Sequence, residues 1–335
     1  MRILITDKSY DGDIDVEREA ASEGTVFDVF EDGEAVTDEA WAAADAVLTF
    51  RCTPLVTSKM HAMSNCRIIV RGGVGFDGLD LEGFGSRGVA ICNVPDYGTT
   101  EVADHAIALM LALRRGIVSY HDGLRADPTG NWHYSQEKVV ARLRGARFGV
   151  VGLGRIGMAA ARRAAAFDQE VMFFDPHLSP GVELATGLQR ADSLAELMST
   201  CDAISLHTPL NDETRGMINA TTLADLKPGA IIINTSRGPV VDIDSVHDAL
   251  KSGQLAAAAL DVLPLEPPPD HPLIHAYTAR EPWIDGRLIL TPHSAFFSRP
   301  GQDDLRRKAV ETMMAYINRQ DLRNCVNADS LRRNQ

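Results

Sequence analysis

The sequence has little positive charge relative to negative charge. Its 33 lysine and arginine residues are outnumbered by 46 aspartate and glutamate residues, so the formal net charge is −13. Binding to nucleic-acid phosphates needs a clustered basic surface that this composition does not provide. We therefore expect no nucleic-acid ligand, and an anionic small molecule would have to be bound by individual arginines.

Cysteine is also scarce, and its spacing excludes two common structural devices. The five cysteines are odd in number and never occur as C-x-x-C, so neither a disulfide framework nor a zinc site is predicted, and we expect no metal. The sequence also lacks an apolar run long enough to span a membrane, and Met1 leads directly into a strand-like run at 2–6. We expect a soluble, cytoplasmic protein with no membrane partner.

The 335 residues suffice for two domains of ordinary size, and 45% hydrophobic and 24% charged residues are typical of soluble proteins. Strand-like and helix-like runs alternate along both halves, which favours α/β domains with parallel sheets. A helix-like stretch at 303–319 could return to the first domain and make that domain discontinuous. We therefore predict two doubly wound α/β domains. The strand-like runs of the first hundred residues are 3–6, 26–30, 46–50, 68–70 and 89–92.

The run 147–175 reads as strand, glycine turn, helix and strand, with G-L-G-R-I-G at the turn. Gly152 permits the tight turn, Gly154 lets a pyrophosphate approach the backbone, and Gly157 lets the helix pack on the strand. The helix directs unpaired N–H groups at the phosphates. Asp175 ends the second strand, where a carboxylate binds the adenosine ribose and repels a 2′-phosphate. The run predicts an NAD site that disfavours NADP; a loop that merely resembles this fingerprint is the alternative.

A second glycine-rich stretch, Arg71-Gly72-Gly73-Val74-Gly75, directly follows a strand-like run. Loops in this position bind ligands in α/β sheets. The glycines leave backbone N–H groups accessible and Arg71 supplies a fixed positive charge, so the stretch could bind a small carboxylate. The alternative is a plain glycine turn.

Three polar residues follow three later strands: Arg237 in N-T-S-R-G, Glu266 in D-V-L-P-L-E and His293 in T-P-H-S-A-F-F. Arg237 could hold a carboxylate bidentately and polarise the adjacent carbonyl. His293 could donate a proton, because imidazole titrates near ~6.5, and a contact with Glu266 would fix the tautomer of its ring. Taken singly, each has a plain structural alternative, as a surface ion pair, a solvated loop acid and a packed histidine, respectively. Together they favour reduction of a 2-oxo acid, with the nicotinamide carrying the hydride.

Eight motifs spread over nearly the whole chain together point to one family. They are R-G-G-V-G-F-D, N-V-P, G-L-G-R-I-G, F-D-P-H-L-S-P-G-V-E, N-T-S-R-G, A-A-L-D-V, T-P-H-S-A-F-F-S and R-N-C-V-N-A-D. In these motifs the sequence resembles the D-isomer-specific 2-hydroxyacid dehydrogenases, and within them it is most similar to the branch containing the C-terminal binding proteins. The resemblance implies a Rossmann NAD-binding domain at 99–296, inserted into a flavodoxin-like substrate domain at 1–98 plus 297–335, and a homodimer built on the nucleotide domains.

The resemblance also implies the roles of individual residues. Arg237, Glu266 and His293 would be the catalytic set, with His293 the proton donor in reduction. Phe296 departs from the named branch, which has a tryptophan there, whereas Tyr97 matches some lactate-type members. The cofactor contacts would be Val74, Gly152, Gly154, Arg155, Ile156, Gly157, Asp175, Thr208, Pro209, Thr235 and Asp261. The substrate contacts would be Arg71, Gly73, Val74, Gly75, Tyr97 and Phe296.

Two functional hypotheses follow. The first is an NAD-dependent oxidoreductase that interconverts a 2-oxo acid and its (R)-2-hydroxy acid. The second is an NADH-sensing interaction protein like the corepressors of the named branch, although the sequence has no basic element for DNA. Other reactions on this scaffold, such as phosphite or formate oxidation, have no specific support in the sequence, and the substrate and the direction of the reaction stay open.

Overall fold

The computed structural model describes residues 1–134, 139–268 and 270–332, with the backbone alone at Arg332. The chain forms two compact units. The first unit combines Met1–Gly98 with Ser298–Gln335, and the second unit consists of Thr99–Phe297. The polypeptide therefore leaves the first unit after Gly98 and returns to it at Ser298.

The first unit contains a five-stranded parallel sheet. Its strands are β1 (Arg2–Ile5), β2 (Val26–Val29), β3 (Ala46–Thr49), β4 (Ile68–Arg71) and β5 (Ala90–Asn93). Their spatial order is β2-β1-β3-β4-β5, which is the flavodoxin-like order, so the predicted fold class of this unit is confirmed. Strands β3 and β5 are buried along their whole length, as expected for a parallel sheet covered on both faces.

The second unit contains a seven-stranded parallel sheet. Its strands are β6 (Arg147–Val151), β7 (Glu170–Phe174), β8 (Gln189–Arg190), β9 (Ala203–Leu206), β10 (Ile231–Asn234), β11 (Ala257–Leu260) and β12 (Leu288–Leu290). Their order is β12-β11-β10-β9-β6-β7-β8. The chain first builds outward from β6 through β7 to β8 and then crosses to β9 on the other side. This arrangement confirms the predicted Rossmann class and leaves a ligand crevice at the carboxyl ends of β6 and β9.

The described residues form fourteen α-helices, and none of them has both the length and the apolar character needed to cross a membrane. The helices are α1 (Asp15–Ala20), α2 (Asp38–Ala43), α3 (Thr53–Ser58), α4 (Leu81–Ser86), α5 (Thr99–Arg114), α6 (Ile117–Ala126), α7 (Arg155–Ala165), α8 (Val182–Thr186), α9 (Leu194–Thr200), α10 (Ala220–Ala224), α11 (Ile243–Ser252), α12 (Pro272–Thr278), α13 (Arg299–Arg319) and α14 (Ala328–Arg332).

Helix α13 joins the returning chain to the start of the first unit through a buried ion pair. The guanidinium of Arg306 donates from Nε and Nη2 to the two carboxylate oxygens of Glu17, at 2.9 and 2.7 Å. Its Cζ also lies 3.9 Å from the centre of the Tyr10 ring. Both charged side chains are buried, so removal of either one would leave an unpaired buried charge. This pair therefore fixes α13 against α1.

The core of the second unit lies on both faces of its sheet. In β10, Ile232 packs into the cluster on one face, whereas Ile231 and Ile233 pack into the cluster on the other face, because successive side chains of a strand point in opposite directions. The small residues Ala257 and Ala259 of β11 lie on the same face as α5. This packing fixes the strands and thereby the positions of the loops that follow their carboxyl ends.

Candidate active site

The glycine turn after β6 has the geometry that the fingerprint predicts. Gly152 adopts φ +87°, a conformation that side-chain-bearing residues rarely adopt, and its N–H donates to the Phe174 carbonyl at 2.9 Å. A Cβ on Gly157 would lie 2.1 Å from the Gly152 carbonyl oxygen, so only glycine lets α7 start this close to the turn. A Cβ on Gly154 would meet no described atom within 4 Å.

Helix α7 starts immediately after this turn, with Gly154 as a cap that offers no side chain to the first N–H groups. Arg155 is exposed and Ile156 is half-buried at this end of the helix. The first N–H groups of a helix carry a partial positive charge and bind anions. The open side of Gly154 and this helix end therefore fit a pyrophosphate.

Asp175, directly after β7, is tied to the glycine turn. Its carboxylate accepts a hydrogen bond from the Leu153 N–H at 3.0 Å and another from the His177 N–H at 3.0 Å. Arg190 holds the backbone of the same loop by donating to the carbonyl of Asp175 at 3.2 Å and to that of Ser179 at 2.9 Å. The predicted ribose-binding carboxylate thus lies beside the fingerprint at the edge of the sheet.

Four further predicted cofactor residues follow the neighbouring strands. Thr208 and Pro209 follow β9, Thr235 follows β10 and Asp261 follows β11. The Thr235 hydroxyl is buried and has no hydrogen-bond partner among the described residues, which is costly unless a further group bonds to it. An unpaired hydroxyl at this edge and the open side of Gly154 both fit a bound dinucleotide.

His293 and Glu266 form the predicted contact. The ring Nδ1 of His293 lies 2.7 Å from Oε2 of Glu266, and Oε1 of Glu266 accepts the Leu263 N–H at 3.0 Å. This arrangement leaves the other ring nitrogen of His293 for a ligand. Partial burial by itself would raise the pKa of Glu266. The hydrogen bond and charge of His293, the Leu263 N–H and the charge of Arg237 outweigh this effect and lower the pKa, so the carboxylate stays ionised.

Arg237 lies near the same pair. Its positive charge acts on Glu266, and its Nη1 donates to the Ser236 carbonyl at 2.7 Å. The loop that carries it is fixed by Asn234, whose amide donates to the Arg237 carbonyl at 3.0 Å and accepts the Ser236 hydroxyl at 2.7 Å. The second unit therefore brings a guanidinium, a carboxylate and an imidazole together at the edge that also carries the glycine turn.

The loop of His293 is held by Asp261, which is 2% exposed. One carboxylate oxygen accepts the Thr291 hydroxyl at 2.5 Å and the Ser294 N–H at 2.9 Å, and the other accepts the Ala295 N–H at 3.0 Å. His293 itself adopts φ +53° and donates its N–H to the Asp261 carbonyl at 2.8 Å. Sequence reasoning missed this positioning role. The sequence signal for this role was an aspartate at the end of a strand, but the resemblance implied only a cofactor contact for Asp261.

Most of the predicted substrate residues lie in the first unit. Arg71 ends β4, and its Nη1 donates to the Gly72 carbonyl at 3.1 Å. Gly73 adopts φ +150°, and a Cβ there would collide with the Arg71 guanidinium. Asn93 Nδ2 donates to the Val74 carbonyl at 2.6 Å. The loop is therefore fixed by its own arginine and by the end of β5.

The remaining predicted substrate residues are divided between the two units. Gly75 belongs to the same loop as Arg71, and Tyr97 is buried after β5. Phe296 belongs to the second unit, where its ring meets that of His293 edge to face, with 6.4 Å between the ring centres. It is thus a neighbour of the proposed proton donor within the second unit.

Sequence reasoning also missed Asp7, a buried carboxylate after β1. One of its oxygens accepts the Phe50 N–H at 3.0 Å and the Thr49 hydroxyl at 3.1 Å. The other accepts the Cys52 N–H at 3.0 Å and the N–H of Arg51. Asp7 therefore holds the loop after β3, where Arg51 is exposed. Among the described residues, no group of three or more His, Cys, Asp or Glu side chains is arranged to hold a metal ion.

Comparison with known proteins gives three kinds of similarity. Residues 107–295 match the family model of the D-isomer specific 2-hydroxyacid dehydrogenase NAD binding domain. The chain is 34% identical over 286 residues to the D-3-phosphoglycerate dehydrogenase of Mycobacterium leprae, covering 85% of this chain and 52% of that protein. It is also 34% identical over 288 residues to the enzyme of the same name from Archaeoglobus fulgidus, covering 86% and 52%. The chain thus spans about half the length of these relatives.

Solved structures resemble it over the whole chain. The D-lactate dehydrogenase of Aquifex aeolicus in complex with NAD and lactic acid has a TM-score of 0.81 at 25% identity, covering 100% of this chain and 98% of that one. The NADPH-dependent glyoxylate/hydroxypyruvate reductase of Sinorhizobium meliloti has a TM-score of 0.81 at 28% identity, covering 97% and 96%. The closer similarity to the branch of the C-terminal binding proteins stays a prediction. The chain belongs to the D-isomer-specific 2-hydroxyacid dehydrogenase family, and its second unit contains the NAD-binding domain of that family.

Proposed function

We propose that the protein is an NAD-dependent oxidoreductase that interconverts a 2-oxo acid and its (R)-2-hydroxy acid. The observation that carries this proposal is the 2.7 Å contact between His293 Nδ1 and Glu266, at the sheet edge that also holds Arg237 and the fingerprint. Family membership supports the same reaction class.

Each of the three residues has a distinct task in the proposed reduction. Arg237 binds the substrate carboxylate and polarises the adjacent carbonyl. His293 donates a proton from Nε2 to the oxygen that becomes the hydroxyl, and the ionised Glu266 holds the tautomer and orientation of the ring. A nicotinamide cofactor, when bound, would supply the hydride in reduction and accept it in oxidation. In the oxidation direction, the same imidazole accepts the proton.

Asp175 supports NAD as the preferred cofactor. A carboxylate at the end of β7 can accept hydrogen bonds from both ribose hydroxyls and repels a 2′-phosphate. We propose that the other predicted cofactor contacts, Val74, Arg155, Ile156, Thr208, Pro209, Thr235 and Asp261, complete the nucleotide site, and that Arg71, Gly73, Gly75, Tyr97 and Phe296 form the substrate side.

The test is a panel of 2-oxo acids assayed in parallel with NADH and NADPH. The panel contains glyoxylate, hydroxypyruvate, pyruvate, 2-oxoglutarate and the 2-oxo acid formed by oxidation of D-3-phosphoglycerate, because relatives carry that enzyme name. We expect turnover of at least one compound with NADH and a lower kcat/KM with NADPH.

Two variants then test the mechanism. His293→Asn should lower kcat by about 10²–10⁴-fold, and Arg237→Ala should lower kcat/KM strongly, with NADH binding retained in both, as measured by fluorescence titration. His275→Asn, an exposed histidine in the same unit, is the matched control and should keep wild-type activity. Unchanged turnover in His293→Asn and Arg237→Ala would reject the mechanism. NADH binding without turnover of any compound would favour the NADH-sensing alternative.

We also propose a homodimer. Helix α6 has no buried residue, and two of its apolar side chains, Ile117 and Val118, are 56% and 39% exposed. The aromatic residues Trp132 and Tyr134, which follow the helix, are 79% and 78% exposed. Exposed apolar residues in one stretch mark protein contact sites. Light scattering of the purified protein should give twice the mass of the chain, and Ile117→Glu should shift it towards the monomer; a monomeric wild type would reject the dimer.

A further inference from the structure

The carboxyl-terminal segment of the chain covers the exposed edge of the first sheet. Strand β5 is the last strand in the sheet order, so among the described strands only β4 pairs with it. The Val326 N–H donates to the Ile91 carbonyl at 2.8 Å, and the Asn93 N–H donates to the Asn324 carbonyl at 3.2 Å. The Asn327 side chain also accepts the Ile91 N–H at 2.8 Å. These bonds fasten the segment 324–327 along β5.

Two cysteines lie directly opposite each other in this pairing. Cys92 and Cys325 form an isolated antiparallel bridge, and the two backbone hydrogen bonds flank the pair rather than joining it. A pair of this kind has a Cα–Cα separation of about 4.5 Å, with its side chains close together. Disulfides span Cα separations of roughly 4.4 to 6.8 Å, so the backbone places the two residues within bonding range.

The two thiols are in contact but differ in access to solvent. Cys92 is fully buried, whereas Cys325 is partly exposed, and neither belongs to a disulfide in this structure. A hydrogen bond between the two side chains and the burial of Cys92 raise the pKa of the Cys92 thiol. The Cys325 sulfur lies 3.3 Å from the Asn327 side-chain oxygen, to which its S–H can donate. An oxidant from solvent would therefore reach Cys325 first.

We propose that Cys92 and Cys325 are the site of a reversible intramolecular disulfide that fastens the carboxyl-terminal segment to the edge of β5. A hydroperoxide oxidises Cys325 first: a sulfur–oxygen bond forms, the oxygen–oxygen bond breaks, and water or the corresponding alcohol leaves. The sulfur of Cys92 then attacks the sulfenic acid, the sulfur–sulfur bond forms, and the hydroxyl leaves as water with the Cys92 proton. A thiol reductant reverses the bond by exchange.

The disulfide would act on two parts of the molecule. It joins positions on either side of the whole second unit in the sequence, and a cross-link over so long a stretch strongly restricts the unfolded chain. It also lies next to Asn93, which holds the loop after β4 through the Val74 carbonyl.

Because the thiolate is the reacting form and the pKa of Cys92 is raised, formation of the disulfide should be slow at neutral pH and faster in mild alkali.

The test is oxidation of the full-length protein with hydrogen peroxide at pH 8.5, followed by mass spectrometry and thermal unfolding. The intact mass should fall by two hydrogens. Proteolysis without reductant should release one linked peptide that contains both Cys92 and Cys325. The unfolding midpoint should rise by about 3 °C or more, and dithiothreitol should reverse all three changes.

Two variants make the result specific. Cys325→Ser should lose both the linked peptide and the rise in midpoint. Cys52→Ser, which removes another partly exposed cysteine of the same unit, should keep both. The proposal is overturned if the oxidised wild type carries sulfinic acid at Cys325 without a link to Cys92, if the link joins other cysteines, or if Cys325→Ser shows the same rise in midpoint.

Discussion

The two units use the same device at the edges of their sheets, a buried aspartate that follows one strand and holds the loop after the neighbouring strand. Asp7 follows β1 and accepts hydrogen bonds from the loop after β3, and Asp261 follows β11 and accepts them from the loop after β12. Asp7 is 5% exposed and Asp261 is 2% exposed. A buried aspartate therefore fixes one loop at the carboxyl edge of the sheet in each unit.

The difference lies in what each loop carries. The loop held by Asp7 presents Arg51, a positive charge at the surface. The loop held by Asp261 carries His293 in a left-handed conformation that non-glycine residues rarely adopt, and that strain persists only where surrounding contacts enforce it. From this comparison we expect Asp7 to act mainly on stability, and Asp261 to act mainly on the position of the proposed proton donor.

The largest expected effect is the loss of stability in Asp7→Ala. The substitution leaves the buried Phe50 N–H, the buried Thr49 hydroxyl and the partly buried Cys52 N–H without their acceptor. Each such group costs about 1–3 kcal/mol, so we expect the first unit to lose about 4 kcal/mol of unfolding free energy. Urea unfolding with separate probes for the two units measures this, and the second unit should keep its NADH affinity.

Asp38→Ala is a matched control for that variant. The Asp38 side chain lies in the same unit and is 79% exposed, so its removal should lower the unfolding free energy by well under about 1 kcal/mol. If Asp7→Ala were as mild as Asp38→Ala, the carboxylate would not hold the loop after β3, and the comparison between the two units would fail.

The next effect is a loss of turnover in Asp261→Asn. The amide has a similar size but only one acceptor oxygen, so it cannot accept both the Ser294 and the Ala295 N–H as the carboxylate does. Displacement of the His293 ring should lower kcat by roughly 30-fold, since small errors in position cost up to ~10² in rate. Asp248→Asn, 82% exposed in the same unit, should leave kcat unchanged.

Steady-state kinetics and NADH titration together decide between two roles of Asp261. A loss confined to kcat indicates a positioning residue. A loss of NADH affinity with unchanged kcat would instead assign Asp261 to the nucleotide alone, as the sequence resemblance implied.

The fold could be predicted well because local patterns and topology agree in this chain. The run 147–175 contains a strand, a positive-φ glycine and a helix in fixed order, and the structure places β6, α7 and β7 accordingly. The contact between His293 and Glu266 was expected because both follow strands that end at one edge. Asp7 and the loop role of Asp261 were not predicted, because acceptor and donors lie about 30 to 45 residues apart and no local spacing reveals such bonds.

The two units should also differ in how their stability depends on pH. Burial lowers the pKa of His207, at the end of β9, to about 4, whereas an unfolded histidine titrates near ~6.5. Between these two pKa values the unfolded chain therefore binds more protons than the folded chain. The stability that depends on an uncharged His207 is fully present above pH 6.5 and is lost as the pH falls towards 4. We expect the second unit to lose on the order of 2 kcal/mol over that range.

Urea unfolding at pH 7 and pH 4.5 measures the effect, and His207→Gln should reduce the difference between the two pH values. The first unit contains a single histidine, His61, and serves as an internal reference. Equal losses in wild type and His207→Gln would show that other groups cause the acid sensitivity.

The smallest effect on stability is expected for Glu266→Gln, which sharpens the contrast with the two buried aspartates. The His293 and Glu266 side chains are 43% and 37% exposed, and exposed pairs contribute little, so we expect a loss of about 0.5 kcal/mol at pH 7. Because the pKa of Glu266 is lowered, this contribution is present above its ordinary value near ~4.5 and disappears only as the pH falls through the lower folded value. Turnover should fall by about 10-fold, because the neutral amide would no longer stabilise the protonated ring of the proposed proton donor, His293. A variant that lost several kcal/mol of stability but no turnover would place Glu266 with Asp7 as a structural acceptor, and the proposed pairing with His293 would have no role in the reaction.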